Sequence, residues 1–294
     1  MSAFWQTTRF RISLARPLVM GIVNVTPDSF SDGGRHAGVA SAAAHCEKLV
    51  AEGADLLDVG GESTRPGARA PDSDEEMARV LPVVAEALRL GVPLSVDTSN
   101  PELMRRALDL GVDIVNDVRA LQRAGALACV AAHPQAAVCL MHMRGEPDTM
   151  HDHADYGDVV TEVAAFLVQR LRALEAAGIA AERVVFDPGI GFAKTPEHNL
   201  ALLQRQAELC RSLPRPLLVG WSRKGTLGVI TGRPASERVA ASVAAALVAV
   251  DRGAAIVRVH DVAATVDALK VWRAAAPATM SSTAPRPAPT QTAG

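Results

Sequence analysis

Short apolar runs alternate with polar, glycine-rich segments along most of the chain. The first run covers 18–23, and a polar stretch that begins at Asn24 follows it at once. A short apolar run indicates a buried strand, and an abrupt polar loop after it is typical of a strand whose carboxyl end opens onto a site. The same pattern recurs at seven later runs, which cover 54–59, 92–96, 112–115, 136–141, 183–186, 216–219 and 255–257.

Longer segments of helical pattern separate these predicted strands. Several of them are followed by glycine, as at Gly53, Gly91 and Gly178, which is typical of a helix C-cap. About eight strand–loop–helix units predict a (β/α)8 barrel, the TIM-barrel fold, with the active site at the C-terminal ends of the strands. An open doubly wound sheet is the alternative, but its G-x-G-x-x-G turn after the first strand is missing. The predicted helices cover 40–52, 72–90, 101–110, 122–132, 155–177, 197–213, 235–252 and 262–274.

Both ends of the chain differ from the barrel domain predicted for 18–274. Residues 1–17 form an N-terminal segment, and the alternation from Arg9 to Leu14 predicts a short hairpin that plugs one end of the fold. Residues 275–294 are rich in Pro, Ala, Ser and Thr and carry almost no charge. Such a segment cannot bury enough surface to offset the cost of ordering, so we predict a disordered tail.

The composition agrees with an α/β protein and narrows its partners. Hydrophobic residues make up 49% of the chain but aromatic residues only 3%, which favours aliphatic strands and alanine-rich helices. A net charge of -2 gives no reason to expect nucleic acid or an anionic membrane as a partner. No C-x-x-C spacing, signal peptide or bilayer-spanning run is present, so we expect a reduced cytoplasmic protein.

Polar side chains follow the predicted strands with great regularity. In a barrel, the residues just past each strand converge on one mouth. We therefore expect one pocket that contains Asn24, Asp58, Asp97, Asn116, His142, Asp187, Lys224, Arg258 and His260.

Two residue types that suggest other chemistry are interpreted as structural. The three histidines His142, His151 and His153 are interpreted as solvated residues of a polar loop rather than as metal ligands. Cys139 occupies a strand position and is interpreted as a small core residue rather than a nucleophile.

Specific sequence blocks run from the first predicted strand to the last: GIVNVTPDSFSDG (21–33), DVGGESTRPG (58–67), SVDT (95–98), VND (115–117), MHM (141–143), FDPGIGF (186–192), SRK (222–224) and IVRVHD (256–261). Through these blocks the chain resembles the dihydropteroate synthase family of pterin-binding enzymes. The resemblance implies a transferase of folate biosynthesis. It would condense 6-hydroxymethyl-7,8-dihydropterin diphosphate with 4-aminobenzoate by an SN1-like mechanism, giving 7,8-dihydropteroate and diphosphate. The resemblance also implies Mg2+ as cofactor and a homodimer formed through helices on the outside of the barrel.

The part of the implied site that binds the pterin ring needs hydrogen-bond acceptors. A pterin presents an amino-pyrimidinone edge with several N–H donors and one carbonyl, which carboxylates and an amide complement. The resemblance implies that this ring is bound by Asp97, Asn116, Asp187 and Lys224. A helix N-cap in a strand–helix loop is the alternative interpretation of a residue such as Asp97.

The departing diphosphate needs positive charge, because negative charge develops as the C–O bond breaks. The resemblance implies Asn24 as a Mg2+ ligand, and diphosphate contacts from Asn24, Thr64, Arg65, Arg258 and His260. A single amide gives Mg2+ only one protein ligand, so we expect the diphosphate of the substrate to supply most of the others. The alternative interpretation is that these cationic side chains are solvated residues of surface loops that contact no substrate.

The aminobenzoate slot is implied to involve Phe30, Thr64, Pro66, Phe192, Arg223 and Gly225. The amine of 4-aminobenzoate is neutral at pH 7, so catalysis requires stabilisation of the developing charge and exclusion of water rather than a base. The loops 26–34 and 63–70 are predicted to be mobile lids, although Phe30 could simply anchor its loop. The implied catalytic set is Asn24, Asp97, Asp187, Lys224, Arg258 and His260.

The chain departs from the family pattern at two positions. The family usually has a serine after Ser-Arg-Lys, where this chain has Gly225, and Trp221 replaces a residue that is commonly small. We expect both to affect substrate affinity rather than the reaction type.

Two other functions remain open. One is a pterin-binding methyltransferase barrel, which would have no need of the Ser-Arg-Lys block or the diphosphate residues. The other is a non-catalytic homologue, which should have lost the cations that this chain keeps at Arg65, Arg223, Lys224 and Arg258.

Overall fold

A computed structural model gives the three-dimensional structure of the chain. It describes residues 4–25, 34–62 and 71–275, without the side chains of residues 34–37 and 151. The strands are β1 (Phe4–Gln6), β2 (Arg11–Ser13), β3 (Leu18–Asn24), β4 (Leu56–Gly60), β5 (Leu94–Asp97), β6 (Ile114–Asp117), β7 (Ala137–Met141), β8 (Val184–Asp187), β9 (Leu218–Val219) and β10 (Ile256–Val259).

Helices follow the strands of the barrel. Helices α2, α3 and α5 begin at side-chain N-caps, namely Asp72, Asn100 and Asp158. The helices are α1 (Gly34–Ala51), α2 (Ser73–Ala87), α3 (Pro101–Asp109), α4 (Ala126–Ala131), α5 (Val159–Ala176), α6 (Pro196–Gln204), α7 (Gln206–Ser212), α8 (Gly225–Thr231), α9 (Val239–Asp251) and α10 (Val262–Ala275).

Eight of the strands form one parallel sheet. Their order is β8-β7-β6-β5-β4-β3-β10-β9. A parallel bridge between Phe186 and Leu217 joins its two ends, where the backbone N–H of Phe186 donates to the carbonyl oxygen of Pro216 at 2.9 Å. The sheet therefore closes on itself with helices between its strands, which confirms the predicted (β/α)8 barrel.

The hairpin of β1 and β2 covers the N-terminal end of the barrel. Its side chains Trp5 and Ile12 are buried, as is Phe10 in the turn, and Trp5 Nε1 donates to the carbonyl oxygen of Arg183 at 3.0 Å. These three side chains join a cluster inside the barrel formed by Leu18, Met20, Leu56, Ile114, Ala137, Cys139, Val185, Leu218 and Ile256. The segment therefore forms the predicted hairpin, and Cys139 is a core residue as predicted. Among the described residues, the polar strand ends lie at the other end of the barrel.

A second, larger core lies between the sheet and the helices. Outward-facing strand residues such as Val59, Val96 and Val138 are fully buried in it. Because the strands are buried on both faces, they form nearly continuous apolar runs in the sequence.

One predicted helix is in fact two. The segment 197–213 bends at Arg205, which has φ -101° and ψ 17° and separates α6 from α7. The Arg205 guanidinium binds the carboxylates of Asp158 at 2.9 Å and Glu208 at 2.6 Å. Just past the bend, the buried Gln206 Nε2 donates to the carbonyl oxygen of Ala249 at 2.6 Å. These tertiary contacts explain a break that the periodicity does not show.

The C-terminal helix α10 ends at Ala275. Residue 275, assigned to the predicted tail, is therefore the last residue of α10. The rest of that tail, residues 26–33 of the first predicted lid and the whole second lid, 63–70, lie outside the described residues. Within the ranges that the structure describes, no helix is long and apolar enough to cross a membrane.

Candidate active site

Parallel pairing places the predicted pterin residues at one rim of the barrel. Asp97 ends β5 and pairs in register with Asn116 of β6, and Asp187 ends β8, two strands farther round. Asn116 and Asp187 are buried, and the Asp97 side chain is 19% exposed. Three acceptors therefore meet at the rim opposite the hairpin.

Arg258 is held between two carboxylates in the barrel. Its Nε donates to Oδ2 of Asp58 and its Nη2 to Oδ2 of Asp97, both at 2.6 Å. Asn116 Nδ2 donates to the same Asp58 oxygen at 3.0 Å. Asp58 is fully buried, and its Oδ1 has no hydrogen-bond partner within the described part of the chain. Charge therefore fixes the guanidinium in the centre of the site.

Burial and nearby cations oppose each other at the carboxylates. Burial raises the pKa of Asp97 to about 7, and the charge of Arg258 opposes that rise. Burial also raises the pKa of Asp187, opposed by the backbone N–H of Gly189, which donates to Oδ1 at 2.7 Å, and by Lys224. The two cations therefore favour the ionised, acceptor-only form of both carboxylates.

Lys224 lies over the ring of Phe192. Its Nζ is 4.2 Å from the ring centroid. Burial lowers the pKa of Lys224 to about 8, and the carboxylate of Asp187 opposes that shift. Gly191 has φ +81°, and a Cβ added there would lie 3.2 Å from Cδ of Lys224. The glycine therefore leaves room for the lysine stem.

The loop after β9 is tied to the end of β10. Ser222 Oγ lies 2.9 Å from His260 Nδ1 and accepts the backbone N–H of His260 at 3.1 Å. Arg223 has φ +58°, and its guanidinium donates to both carboxylate oxygens of Asp261, at 2.6 and 3.1 Å. Ser222 and Arg223, which are adjacent in the loop after β9, therefore bind His260 and Asp261, which are adjacent just after β10.

His142 is buried, not solvated. It is 2% exposed, its ring lies 4.9 Å from that of Phe166 in an edge-to-face arrangement, and Lys194 Nζ is 2.9 Å from its Nδ1. Burial lowers the pKa of His142 to about 2, with Lys194 adding to the shift. The solvated interpretation is therefore wrong for His142, because the fold packs this strand end under Phe166. His153 is exposed, and the side chain of His151 lies outside the described part.

Lys194 joins the loops that follow β7 and β8. Its Nζ also donates to the carbonyl oxygens of Phe192 at 2.9 Å and of His142 at 3.3 Å. These two carbonyls and His142 Nδ1 match the three N–H donors of an ammonium group, although burial lowers the pKa of Lys194 to about 7. A Cβ on Gly189 would lie 1.9 Å from the His142 carbonyl oxygen, so the two loops are in close contact here. Sequence reasoning missed this contact because nothing in the pattern brings 142 to 194.

The other predicted residues have different positions. Asn24 ends β3 at the same rim and is exposed, and Gly225 opens α8. Trp221 is 2% exposed and packs in the core outside the sheet, away from the barrel interior. Asp58, to which the sequence assigns no substrate role, lies at the centre of the site. It is a carboxylate near the carboxyl end of β4, and that position in the sequence is the signal that points to a role in the site. Four predicted substrate residues lie outside the described residues: Phe30, Thr64, Arg65 and Pro66.

The described residues provide few ligands for a metal ion. They contain no group of three or more His, Cys, Asp or Glu side chains arranged to hold a metal. Asp58 and Asp97 both form ion pairs with Arg258, and Asn24, the ligand that the family resemblance implies, lies exposed at the end of β3 on the same rim. Mg2+ prefers six oxygen ligands and readily takes them from phosphates and water. This donor set therefore fits an ion that arrives with a diphosphate.

Comparison with known proteins gives a consistent result. The pterin-binding enzyme family matches residues 20–260. Dihydropteroate synthase of Neisseria meningitidis serogroup B is 54% identical over 275 residues, which are 92% of this chain and 96% of that protein. The structure of the Xanthomonas albilineans enzyme with 4-aminobenzoic acid is 52% identical with a TM-score of 0.85, covering 92% of this chain and 100% of that one. The Burkholderia cenocepacia enzyme complexed with 7,8-dihydropteroate is 51% identical with a TM-score of 0.84, covering 93% and 96%.

Proposed function

The chain belongs to the pterin-binding enzyme family, within the dihydropteroate synthases, and we propose how the rim of its barrel carries out their reaction. The reaction joins 6-hydroxymethyl-7,8-dihydropterin diphosphate to 4-aminobenzoate and releases diphosphate, a transferase step of folate biosynthesis. The observation that supports this scheme most is the convergence of Asp97, Asn116 and Asp187 with Lys224 and Arg258. Acceptors for a pterin and positive charge for a leaving diphosphate thus occupy one enclosed rim.

The pterin ring binds among the buried acceptors. Asp97 and Asp187 accept from its N–H groups, and Asn116 donates and accepts. Lys224 donates to the ring oxygen and nitrogen. Both ion pairs of Arg258 use Oδ2 atoms, so Oδ1 of Asp97 is left for the ring.

The diphosphate leaves from the cationic side of the rim. Arg258 and His260 contact it, and the resemblance implies Thr64 and Arg65 as further contacts. The positive charge of the arginines and hydrogen bonds from His260 and Thr64 stabilise the charge that develops on the leaving oxygen. Asn24 and the diphosphate would hold a Mg2+ ion between them, and the bound ion would supply further positive charge to the leaving group.

The C–O bond to the diphosphate breaks, and the nitrogen of the arylamine attacks the resonance-stabilised pterin cation. The ammonium so formed gives its proton to the released diphosphate. No base is required to activate the amine, because its lone pair is free at pH 7, and the protein has to position the amine and exclude water from the cation. Phe192 forms one wall of the slot, and the resemblance implies Phe30 and Pro66 as further wall residues. Arg223 and the backbone at Gly225 lie toward the carboxylate, and Arg223 shares its charge with Asp261 there.

The enzyme reaction is tested by incubating the purified protein with the pterin diphosphate and 4-aminobenzoate and measuring diphosphate release and dihydropteroate. Both products are expected. A protein that bound the pterin but released no diphosphate would be a non-catalytic homologue. Methyl transfer from a methylated pterin would instead indicate the methyltransferase alternative.

The pterin pocket is tested by Asp187→Ala. Removing this acceptor leaves donor groups of a buried ring unpaired, at about 1–3 kcal/mol each, so pterin binding should fall below detection in calorimetry. Asp187→Asn keeps the shape but exchanges one acceptor for a donor, and it should also bind weakly. Parent-like pterin affinity in the alanine variant would show that the ring binds elsewhere.

We also propose that the chain forms a homodimer in the cytoplasm. Large apolar side chains lie exposed on two consecutive helices, with Val229 70% and Ile230 57% exposed on α8 and Val248 36% exposed on α9. Large apolar side chains exposed on neighbouring helices are a feature of many protein interfaces. The free state of all four cysteines agrees with a reducing compartment.

Ile230→Glu tests the dimer. The charge should convert the protein to a monomer in sedimentation experiments, since it would be buried unpaired in the interface. Leu110→Glu is the matched control, because Leu110 is 49% exposed at the end of α3, on another side of the barrel. A dimer that survives the first substitution would place the interface elsewhere.

A further inference from the structure

We propose that Ser222 is a positioning residue that fixes the tautomer of His260, so that the imidazole offers Nε2–H as a hydrogen-bond donor to the leaving diphosphate. The second half of this statement rests on the proposed function, in which His260 contacts the diphosphate. The first half concerns the protein alone. No proton is transferred in this role: the imidazole donates a hydrogen bond and keeps its hydrogen.

The count of donors and acceptors at Ser222 carries the argument. A hydroxyl has one hydrogen and two lone pairs. The backbone N–H of His260 donates to Ser222 Oγ at 3.1 Å, which uses one lone pair. The hydroxyl hydrogen then needs an acceptor, and among the described residues the atom within reach is His260 Nδ1 at 2.9 Å. Nδ1 must therefore be unprotonated, and in the neutral ring the hydrogen lies on Nε2.

The opposite tautomer would leave a buried donor unsatisfied. If Nδ1 carried the hydrogen and donated to Ser222 Oγ, the hydroxyl hydrogen would have no acceptor in the described part of the site. Ser222 is 6% exposed, so water cannot readily take that hydrogen. A buried unsatisfied polar group is avoided in folded proteins.

The surroundings hold this pair in place. Arg223, the next residue after Ser222, binds Asp261, the next residue after His260, through two hydrogen bonds. The backbone N–H of Arg223 donates to Ser242 Oγ at 2.9 Å, which anchors the same loop to α9. The hydroxyl and the imidazole are therefore held together from both sides.

The imidazole of His260 lies near the cations of the rim. Ile256 points into the barrel, and Arg258 follows on the same face of β10. His260 comes directly after β10, and the positive charges of Arg258, Arg223 and Lys224 all act on its pKa. With Nδ1 on Ser222, the opposite ring nitrogen turns away from that loop, and no described residue bonds it. Burial lowers the pKa of His260 to about 4, and Arg258 adds to the shift. A neutral imidazole has one N–H only, so which nitrogen carries it decides whether the ring can donate to an anion.

The tautomer is measured directly by NMR of the substrate-free protein with 15N-labelled histidine. Long-range proton–nitrogen correlations distinguish the two ring nitrogens, and His260→Gln assigns the signals. The parent should show His260 with a hydrogen on Nε2 and none on Nδ1. Ser222→Ala should lose that single pattern. Ser242→Ala removes one anchor of the same loop but keeps the Ser222 hydroxyl, and it should keep the pattern because the Arg223–Asp261 ion pair still holds the two segments together. A hydrogen on Nδ1 in the parent would overturn the proposal without touching the proposed function.

The catalytic consequence is measured by steady-state kinetics. Ser222→Ala should lower kcat/KM for the pterin diphosphate by about tenfold, because a preorganised donor is lost, and should leave the KM for 4-aminobenzoate within about twofold. Ser222→Thr keeps the hydroxyl and should recover most of the loss. Equal losses in Ser222→Ala and Ser242→Ala, without a change of tautomer, would show a merely structural role and overturn the proposal.

Discussion

The protonation of each cationic side chain at the rim depends on how its charge is compensated. Arg258 is satisfied by two carboxylates, whereas Lys224 is buried with a ring on one side and its compensating carboxylate at Asp187. The first remains charged at any accessible pH. The second can lose its proton under mild conditions, so it sets a limit on the working range of the enzyme.

Lys224 should give the pH profile of pterin use its alkaline limb. Its pKa is lowered to about 8, and only the ammonium form carries the charge that the pterin site needs. Since kcat/KM reports the free enzyme, the value for the pterin diphosphate should fall as the pH rises through about 8. Lys224→Arg should remove the fall, because arginine stays protonated, although its overall rate will be lower. A parent profile that stays level to pH 10 would contradict this role.

Gly225 is a position where one hydroxyl would add an interaction. A Cβ built there meets no atom of the described residues within 4 Å, so a side chain fits beside them without rearrangement. Gly225→Ser should lower the KM for 4-aminobenzoate several-fold, because a hydrogen bond to a charged carboxylate is worth about 1.5–3 kcal/mol and water replaces part of it. The KM for the pterin diphosphate should hardly change.

Steady-state kinetics with each substrate varied in turn measures both constants. Gly225→Ala is the control, since it adds the Cβ without the hydroxyl and should resemble the parent. If the serine variant leaves the aminobenzoate constant unchanged or higher, the carboxylate does not lie at this position.

Secondary-structure elements were predictable where local pattern decides them. Both faces of each barrel strand are buried, so the strands stand out as apolar runs, and the polar residues after them mark the rim. The break at Arg205 and the burial of His142 were not predictable, because each depends on a partner distant in sequence: Asp158 in one case, Phe166 and Lys194 in the other. The Ser222–His260 pair is of the same kind. Local sequence therefore located the site, and tertiary contacts determined its hydrogen bonds.

The N-terminal hairpin should act on stability and not on chemistry. Trp5 is fully buried against the barrel interior, and its indole N–H has a carbonyl partner, so Trp5→Ala should destabilise the fold by about 3–5 kcal/mol. Urea denaturation measures the loss. Because the hairpin lies opposite the rim, kcat at a temperature well below the melting point should remain near that of the parent.

Arg11→Ala is the matched change in the same hairpin. Arg11 is exposed and only covers the ring of Phe4, at 4.1 Å, so its loss should cost about 1 kcal/mol or less. A large loss of turnover in the folded Trp5 variant would mean that the two ends of the barrel are coupled.

At the scale of the whole molecule, stability and function occupy opposite ends of one closed sheet. The hairpin and the apolar interior fill one end, while the other gathers Asp58, Asp97 and Asp187 around cations that compensate them. Like charges held together in a buried place are costly, and the rest of the fold must offset that cost. The sequence predicts that the C-terminal extension adds nothing to this arrangement, because it is rich in Pro, Ala, Ser and Thr and has few large apolar side chains.

Truncation after Ala276 tests that division. The removed residues contain a single charged side chain, Arg286, and few large apolar ones, so the sequence predicts that they contribute no packing. The melting temperature and kcat of the shortened protein should match those of the parent. Truncation after Ala268 is the contrasting control, because it removes Leu269, which is 5% exposed in the core, and Trp272, which packs against that core. That variant should melt many degrees lower, since a lost core leucine alone costs about 2–5 kcal/mol. A similar drop in the first variant would show that the extension docks on the barrel.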